Sequence, residues 1–332
     1  MYGFDIGTCN LKIAQWDGGQ LKRLVSAEVP ENLVKDGVIT SYEAMADFIK
    51  FVAKQNKLTG KKDAAVVIAP GLAFLRRTTM PAMTANQLSV NLPYEFRDYL
   101  TADKSKYFYD YLVNFVKYDD DENPVEMDLT TAAILKETIN EYTDMFRRAG
   151  FKLKTAIPAE CAYANILGAK EIEDISEFAF LDFGHCATRL TIFTGSVYET
   201  SRSMETGLLS VDKAISDFAG VDVHIANSYK VSNYEGIQES EAAKNVYSEI
   251  ALETRKAVNF YAFNNRESDL KDVFCGGGGW QVEPLRKSLG EAVDLNMHSV
   301  NELLPPISKN VQEDNCEAYM LAIGAAMQKE GK

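Results

Sequence analysis

One pattern, D-φ-G-x-C-x-x-[KR]-φ, occurs twice in this 332-residue chain, at Asp5–Ile13 and again at Asp182–Leu190. Each copy follows a short strand-like run and leads into another. The copies lie about half a chain apart, where a duplicated domain would put them. A strand that ends in Asp and turns through Gly brings backbone N–H groups close to an anion, because Gly7 and Gly184 tolerate tight turns and close approach. Two such hairpins facing each other could clamp the β- and γ-phosphates of a nucleotide. Asp5 and Asp182 would hold Mg²⁺ through its waters, and Lys12 would neutralise phosphate charge. Either copy alone reads better as an ordinary D-x-G turn; the argument rests on their pairing.

Composition narrows the partners. Acidic side chains outnumber basic ones 48 to 35, for a net charge of −13. That balance repels nucleic acid, while leaving room for one phosphate ligand held by backbone groups. At about 150 residues per domain the length suggests two domains. Met1–Asp5 has no basic region or long apolar stretch, so no signal peptide is expected, and the apolar run Ala64–Ala69 is cut by Pro70-Gly71, too short to span a membrane. Cys9, Cys161, Cys186, Cys275 and Cys316 are scattered without a C-x-x-C pair, which fits free thiols in a reducing cytoplasm. There is no G-x-x-x-x-G-K-[ST], G-x-S-x-G or H-E-x-x-H, and His185, His224 and His298 are too dispersed for a metal site.

Local patterns predict a strand over 2–6 and a hairpin of Leu11–Trp16 and Leu21–Val29 turning at Asp17-Gly18-Gly19. A helix opened by a Thr40/Glu43 capping box should follow, then strands Ala64–Ala69 and Phe74–Met80. Thr84 and Gln87 open a further helix that Pro93 should break or kink. Tyr107, Tyr109, Tyr111, Val113 and Phe115 share one face of a strand by period-2 spacing, as do Val125, Met127, Leu129, Thr131 and Ala133. Asp119–Pro124 forms an acidic turn between them, and a helix through Ile139–Ala149 stops at Gly150. The second half predicts strands Phe178–Asp182 and Val273–Cys275, helices near Leu209–Phe218, Val223–Lys230, Ser240–Phe263 and Glu283–Leu289, and a last helix Cys316–Met327. The run Gly276–Gly279 would let backbone lie flat against a ring or a ribose.

Taken in order, these residues resemble the actin/Hsp70/sugar-kinase ATPase superfamily, and within its FtsA-like branch the PilM family of type IV pilus assembly. Phe4–Lys12 looks like the phosphate 1 motif, Phe180–Thr188 like phosphate 2, and Phe274–Gly279 like the adenosine motif. Ile157–Ala164 and Ala322–Ala326 look like the two connecting helices. Lys35–Ile39, Tyr94–Leu100 and Glu253–Tyr261 resemble further family segments. The resemblance implies an α/β, actin-like (ribonuclease H-like duplicated) two-domain fold with an FtsA/PilM-type 1C insertion. Subdomain 1A would span 1–80, 1C 81–153, a 1A connecting helix 154–172, domain 2 173–304 (with a 2B insertion at about 223–270), and the return to 1A 305–332.

It implies ATP and Mg²⁺ as cofactors. Gly7, Thr8, Cys9, Asn10, Lys12, Gly184, His185, Asn227, Lys230, Gly276, Gly277 and Gly278 would hold the nucleotide, with Asp5 and Asp182 at the metal. Glu160 would orient water in any slow Mg-dependent hydrolysis, alongside Asp182. Three positions depart from the family: His185-Cys186-Ala187 replaces smaller residues, Arg189 stands where FtsA-like loops continue with Asp, and Asn227 replaces the acid of A-E-x-x-K. On this fold Cys9, Cys186 and Cys275 are expected at the cleft, protected by ATP. The implied partner is the N-terminal cytoplasmic segment of a PilN-like membrane protein, bound between 1A and 1C. Pilus motor or platform proteins and self-association are further options, with no nucleic acid and no direct membrane anchor. The chain would sit in the cytoplasm, held to the inner face of the membrane through partners. Alternatives are a nucleotide-free interaction scaffold with a degenerate cleft, an FtsA-like division protein (disfavoured because Gln328–Lys332 follows the last helix directly), and a small-molecule kinase.

Overall fold

The computed structural model describes residues 1–35, 37–60, 62–168, 177–308, 311 and 315–328. Asp36 of the Lys35–Ile39 stretch, the boundary expected at 172–173, and Lys329–Lys332 lie outside them. Strands β1 (Tyr2–Ile6), β2 (Asn10–Asp17) and β3 (Gln20–Glu28) form a meander. A short ladder, β4 (Val34–Lys35) with β5 (Val38–Ile39), precedes helix α1 (Tyr42–Gln55) and strand β6 (Asp63–Val67). Next come β7 (Ala73–Pro81), α2 (Ala85–Glu95), β8 (Tyr107–Tyr118), β9 (Pro124–Leu135), α3 (Lys136–Ala149), β10 (Lys152–Ile157) and α4 (Ala159–Leu167). The second half carries β11 (Glu177–Phe183), β12 (Thr188–Thr194), β13 (Val197–Met204), α5 (Leu208–Ala219), α6 (Val223–Ser232) and α7 (Glu241–Asn264). It closes with β14 (Asp272–Gly276), α8 (Glu283–Ala292), β15 (Asn296–Ser299) and α9 (Met320–Ala326).

The halves repeat one topology. One sheet runs β10-β6-β1-β2-β3 and the other β15-β14-β11-β12-β13, strand for strand. In both, the strand carrying the repeated Asp pairs antiparallel with its successor and parallel with a later strand. The echo in the sequence is thus the local trace of a duplicated architecture. The β2–β3 turn falls where expected, with Gly18 and Gly19 at φ +58° and +76°, values suited to a two-residue hairpin turn.

Several local readings shift. Ser41, not Thr40, caps α1, accepting the Ala44 N–H, while the Thr40 hydroxyl bonds to the Asn32 and Leu33 carbonyls. Strand β7 pairs with β9 in a separate three-stranded sheet, β7-β9-β8. The Thr84/Gln87 capping box is present, and α2 runs two residues past Pro93 before it ends at Glu95. A bulge between Val113 and Phe115 reverses the alternation of β8. Phe115 therefore turns out to solvent, 51% exposed, and Val116 packs inward beside Met127 and Leu129.

Three larger cores run through the described residues, beside two smaller clusters in the three-stranded unit. Tyr2 and Phe4 meet Phe146 and Phe151 edge-on beneath α1 and α3, and a second core under α5, α7 and α8 serves the other sheet. Full burial of a side chain such as Phe4 contributes about 1.5–3 kcal/mol. The third core joins the halves: α4 and α9 pack together with Phe178, Phe180 and Phe193. Small residues allow that approach, since a Cβ on Gly3 would strike the α9 backbone and one on Gly324 the backbone of Ala162. No helix among the described residues is long and apolar enough to cross a membrane.

Candidate functional site

The repeated hairpins close identically. The Gly7 N–H donates to Asn10 O at 3.0 Å and the Gly184 N–H to Ala187 O at 3.0 Å. The ladders set Asp5 opposite Lys12 and Asp182 opposite Arg189, so each strand end carries a carboxylate beside a cation. Both hairpins face a cleft of about 670 Å³, within the range of small-ligand sites. Asp5, Gly7, Thr8, Cys9, Asn10, Lys12, Asp182, Gly184, His185, Asn227, Lys230 and Gly278 all line it. These side chains converge from both halves of the chain.

Electrostatics at the strand ends favours a cation. Burial pushes the Asp5 carboxyl above its ordinary range, and Lys12, with Nζ 3.7 Å from Oδ2, pulls it back. Burial also raises Asp182, Lys12 lowers it, and the Asp5 charge raises it further. The Tyr163 hydroxyl donates to Asp182 Oδ2 at 3.4 Å. Two carboxylates that resist ionising side by side fit a divalent cation whose remaining ligands are waters or phosphate oxygens. Among the described residues no group of three or more His, Cys, Asp or Glu side chains could hold a metal alone. Burial lowers the His185 imidazole, so it enters the cleft neutral at pH 7.

Lys230 lies buried with its Nζ 2.6 Å from Asp212 Oδ1, both side chains at most 5% exposed, and both charges act on Cys9 and His185. Gln238 donates to the Lys230 carbonyl at 2.7 Å, tying the end of α6 to the turn that follows. Asp212, which does not itself line the cleft but holds Lys230 there, is a residue that sequence reasoning missed: it sits in an ordinary amphipathic pattern on α5, and only the fold brings it to Lys230. Gly207 was missed too. A Cβ there would collide with His185 O and the Cys186–Ala187 backbone, where the turn after β11 crosses the start of α5.

Some expected residues lie elsewhere. Gly276 and Gly277 do not line the cleft; their missing Cβ atoms make room for Met320 and for Asp182 with Phe183, so these two glycines serve the protein's own close packing. Cys275 is wholly buried in the core of the second half, which removes it from the three thiols expected at the cleft. Glu160 faces a neighbouring cavity of about 380 Å³ and pairs with Arg189, Oε1 to Nη1 3.4 Å. Arg189, Ala159 and Ser203 line both cavities. The smaller one lies where the first sheet, the three-stranded unit and β13 meet, walled by Pro70, Phe74, Arg76, Phe96 and Tyr99.

The family model described as type IV pilus assembly protein PilM matches residues 3–330. Among solved structures, a chain of the "PilM-PilN type IV pilus biogenesis complex" superposes with a TM-score of 0.81 at 21% identity, over 98% of this chain and 97% of that one. Ethanolamine utilization protein EutJ from Carboxydothermus hydrogenoformans gives a TM-score of 0.57 at 16% identity, over 98% and 88% of the two chains. At such identities the likeness establishes the two-domain actin-like fold. No curated protein sequence matches.

Proposed function

The chain belongs to the PilM family of type IV pilus assembly proteins, and from that premise we propose that it is a cytoplasmic scaffold that binds ATP·Mg²⁺ and docks the N-terminal segment of a PilN-like membrane protein. The observation that carries the reading is the mirrored pair of hairpins, which aim Asp5, Lys12, Asp182 and two glycine turns into one cleft. Gly7–Asn10, Gly184 and His185 would surround the phosphates, and Asn227, Lys230 and Gly278 the nucleoside end. Bound there, Mg²⁺ would offset phosphate charge between Asp5 and Asp182. The reading is one of nucleotide binding; without ligand, Glu160 is engaged by Arg189.

The smaller cavity is the proposed dock, at the junction of 1A and 1C. Arg76 shapes it: its Nη1 donates to Glu95 O at 2.6 Å and its guanidinium lies 4.7 Å from the Tyr99 ring centroid. Tyr99 itself is 54% exposed, an aromatic surface with little duty in the core. Truncating an aromatic anchor costs about 1–2 kcal/mol of binding. Tyr99→Ala is therefore expected to weaken binding of a labelled N-terminal segment about tenfold by fluorescence anisotropy, with unchanged melting. An unaltered Kd would remove this cavity as the dock.

ATP binding is tested directly by alkylation. Saturating ATP·Mg²⁺ is expected to slow labelling of Cys9 and Cys186 several-fold, while Cys275 stays unlabelled with or without nucleotide because burial both hides its thiol and raises its pKa. Equal rates at Cys9 and Cys186 would favour the second reading, a nucleotide-free scaffold in which neutral His185 fills the phosphate end of the cleft.

A further inference from the structure

We propose that Arg189 couples the two cavities: it neutralises Glu160 while the cleft lacks a terminal phosphate and turns to that phosphate when one is present, leaving the Glu160 carboxylate free to receive a cationic group of the docked segment. The proposal rests on the reading above and adds its regulation.

Arg189 is rooted opposite Asp182 in the β11–β12 ladder, at the strand end that faces the cleft. It acts electrostatically on Asp182 and also reaches Glu160 on α4. The wall between the cavities is thin, because Ala159, Arg189 and Ser203 border both. The Arg189–Glu160 pair is a single long contact at 3.4 Å, with side chains 15% and 8% exposed. A guanidinium binds best through two parallel hydrogen bonds to a carboxylate or phosphate. One monodentate contact therefore leaves most of its donors available to a more highly charged oxyanion. Once Arg189 turns, Glu160 is a buried carboxylate without its partner, a state that favours any cation able to enter. Arg76, the other cation of that cavity, cannot substitute without giving up Glu95 O and the Tyr99 ring. The docked segment would thus supply the countercharge, from an α-ammonium, a lysine or an arginine.

Coupling between two sites is reciprocal and commonly spans about 5- to 150-fold. The test measures the Kd of a labelled synthetic peptide copying the N-terminal segment of the PilN-like protein, without nucleotide, with ADP·Mg²⁺ and with ATP·Mg²⁺, while a fluorescent ATP analogue reports nucleotide binding separately. ATP, but not ADP, is expected to tighten the peptide about tenfold. In Arg189→Gln the peptide should bind equally in all three states. In Glu160→Gln it should bind with ATP no better than without. Where Arg189→Gln does not fold, the charge-neutral double variant Arg189→Gln/Glu160→Gln replaces it, with the same loss of nucleotide dependence expected. Nucleotide and peptide both binding, with equal peptide affinity in every state of the wild type, would overturn the coupling alone. Persistence of the ATP effect in the Arg189 variant would overturn the assignment to Arg189. Failure of either ligand to bind the wild type would overturn the functional reading itself.

Discussion

Gly324→Ala is expected to cost the fold about 3–5 kcal/mol, although it adds one methyl group and is made within a helix. An added Cβ would fall on the carbonyl and Cα of Ala162, backbone atoms that cannot rotate away as a side chain would. α9 would have to withdraw from α4, parting a core that contains Tyr163, Ile166, Ile323 and Phe180 and joins the halves. The control is the same change at Gly290 on α8, where a Cβ would meet only the tip of Met297 at 3.6 Å. There the gain in helix propensity should dominate, making Gly290→Ala neutral or stabilising by up to about 1 kcal/mol. Denaturant titration of both variants separates the cases. A small loss at Gly324, similar to that at Gly290, would mean that α4 and α9 do not cross in contact.

The contrast also shows which features can be read before folding. The Asp-Gly hairpins were legible because their signal is local: a strand end, a turn residue and a cation a few positions later, repeated at half the chain length. The Thr84/Gln87 box and the stop at Gly150 were legible for the same reason. Period-2 spacing located β8 but could not see the bulge at Asn114, which sends Phe115 out and Val116 in. The glycine run after β14 suggested backbone lying flat against a ring or a ribose, whereas Gly276 and Gly277 closely approach Met320, Asp182 and Phe183, and Gly278 lines the cleft. Site residues that depend on pairs far apart in sequence left no mark. Glu160 gave no hint that Arg189 would hold it, and Asp212 looked like any polar position of an amphipathic helix until α6 laid Lys230 on it. Chemistry carried by one loop could be read; chemistry carried by the contact of two elements needed the fold.

Asp182→Asn is expected to move the protein in two opposite directions. Burial and the neighbouring Asp5 hold the Asp182 carboxyl above its ordinary range in the folded state. The folded chain then binds protons more tightly than the unfolded chain, so the two carboxylates contribute a penalty that is absent below the ordinary carboxylate pKa. This penalty grows as pH rises through their raised values. Asn keeps the shape and an oxygen to accept the Tyr163 O–H while removing the charge. Without ligand, Asp182→Asn should therefore melt above the wild type at pH 7–8, by about 2 °C for each kcal/mol relieved, and the two should converge near pH 4. With ATP·Mg²⁺ the order reverses. At about 100 times Kd the ligand stabilises the wild type by about 2.7 kcal/mol, and that shift should vanish in the variant, which has lost one of the two groups proposed to hold the metal. Thermal unfolding across pH, with and without ATP·Mg²⁺, reads both effects in one series. A variant that is less stable without ligand at pH 7 would show that Asp182 serves the fold rather than a cation, and a full ATP·Mg²⁺ shift in the variant would remove it from the nucleotide site.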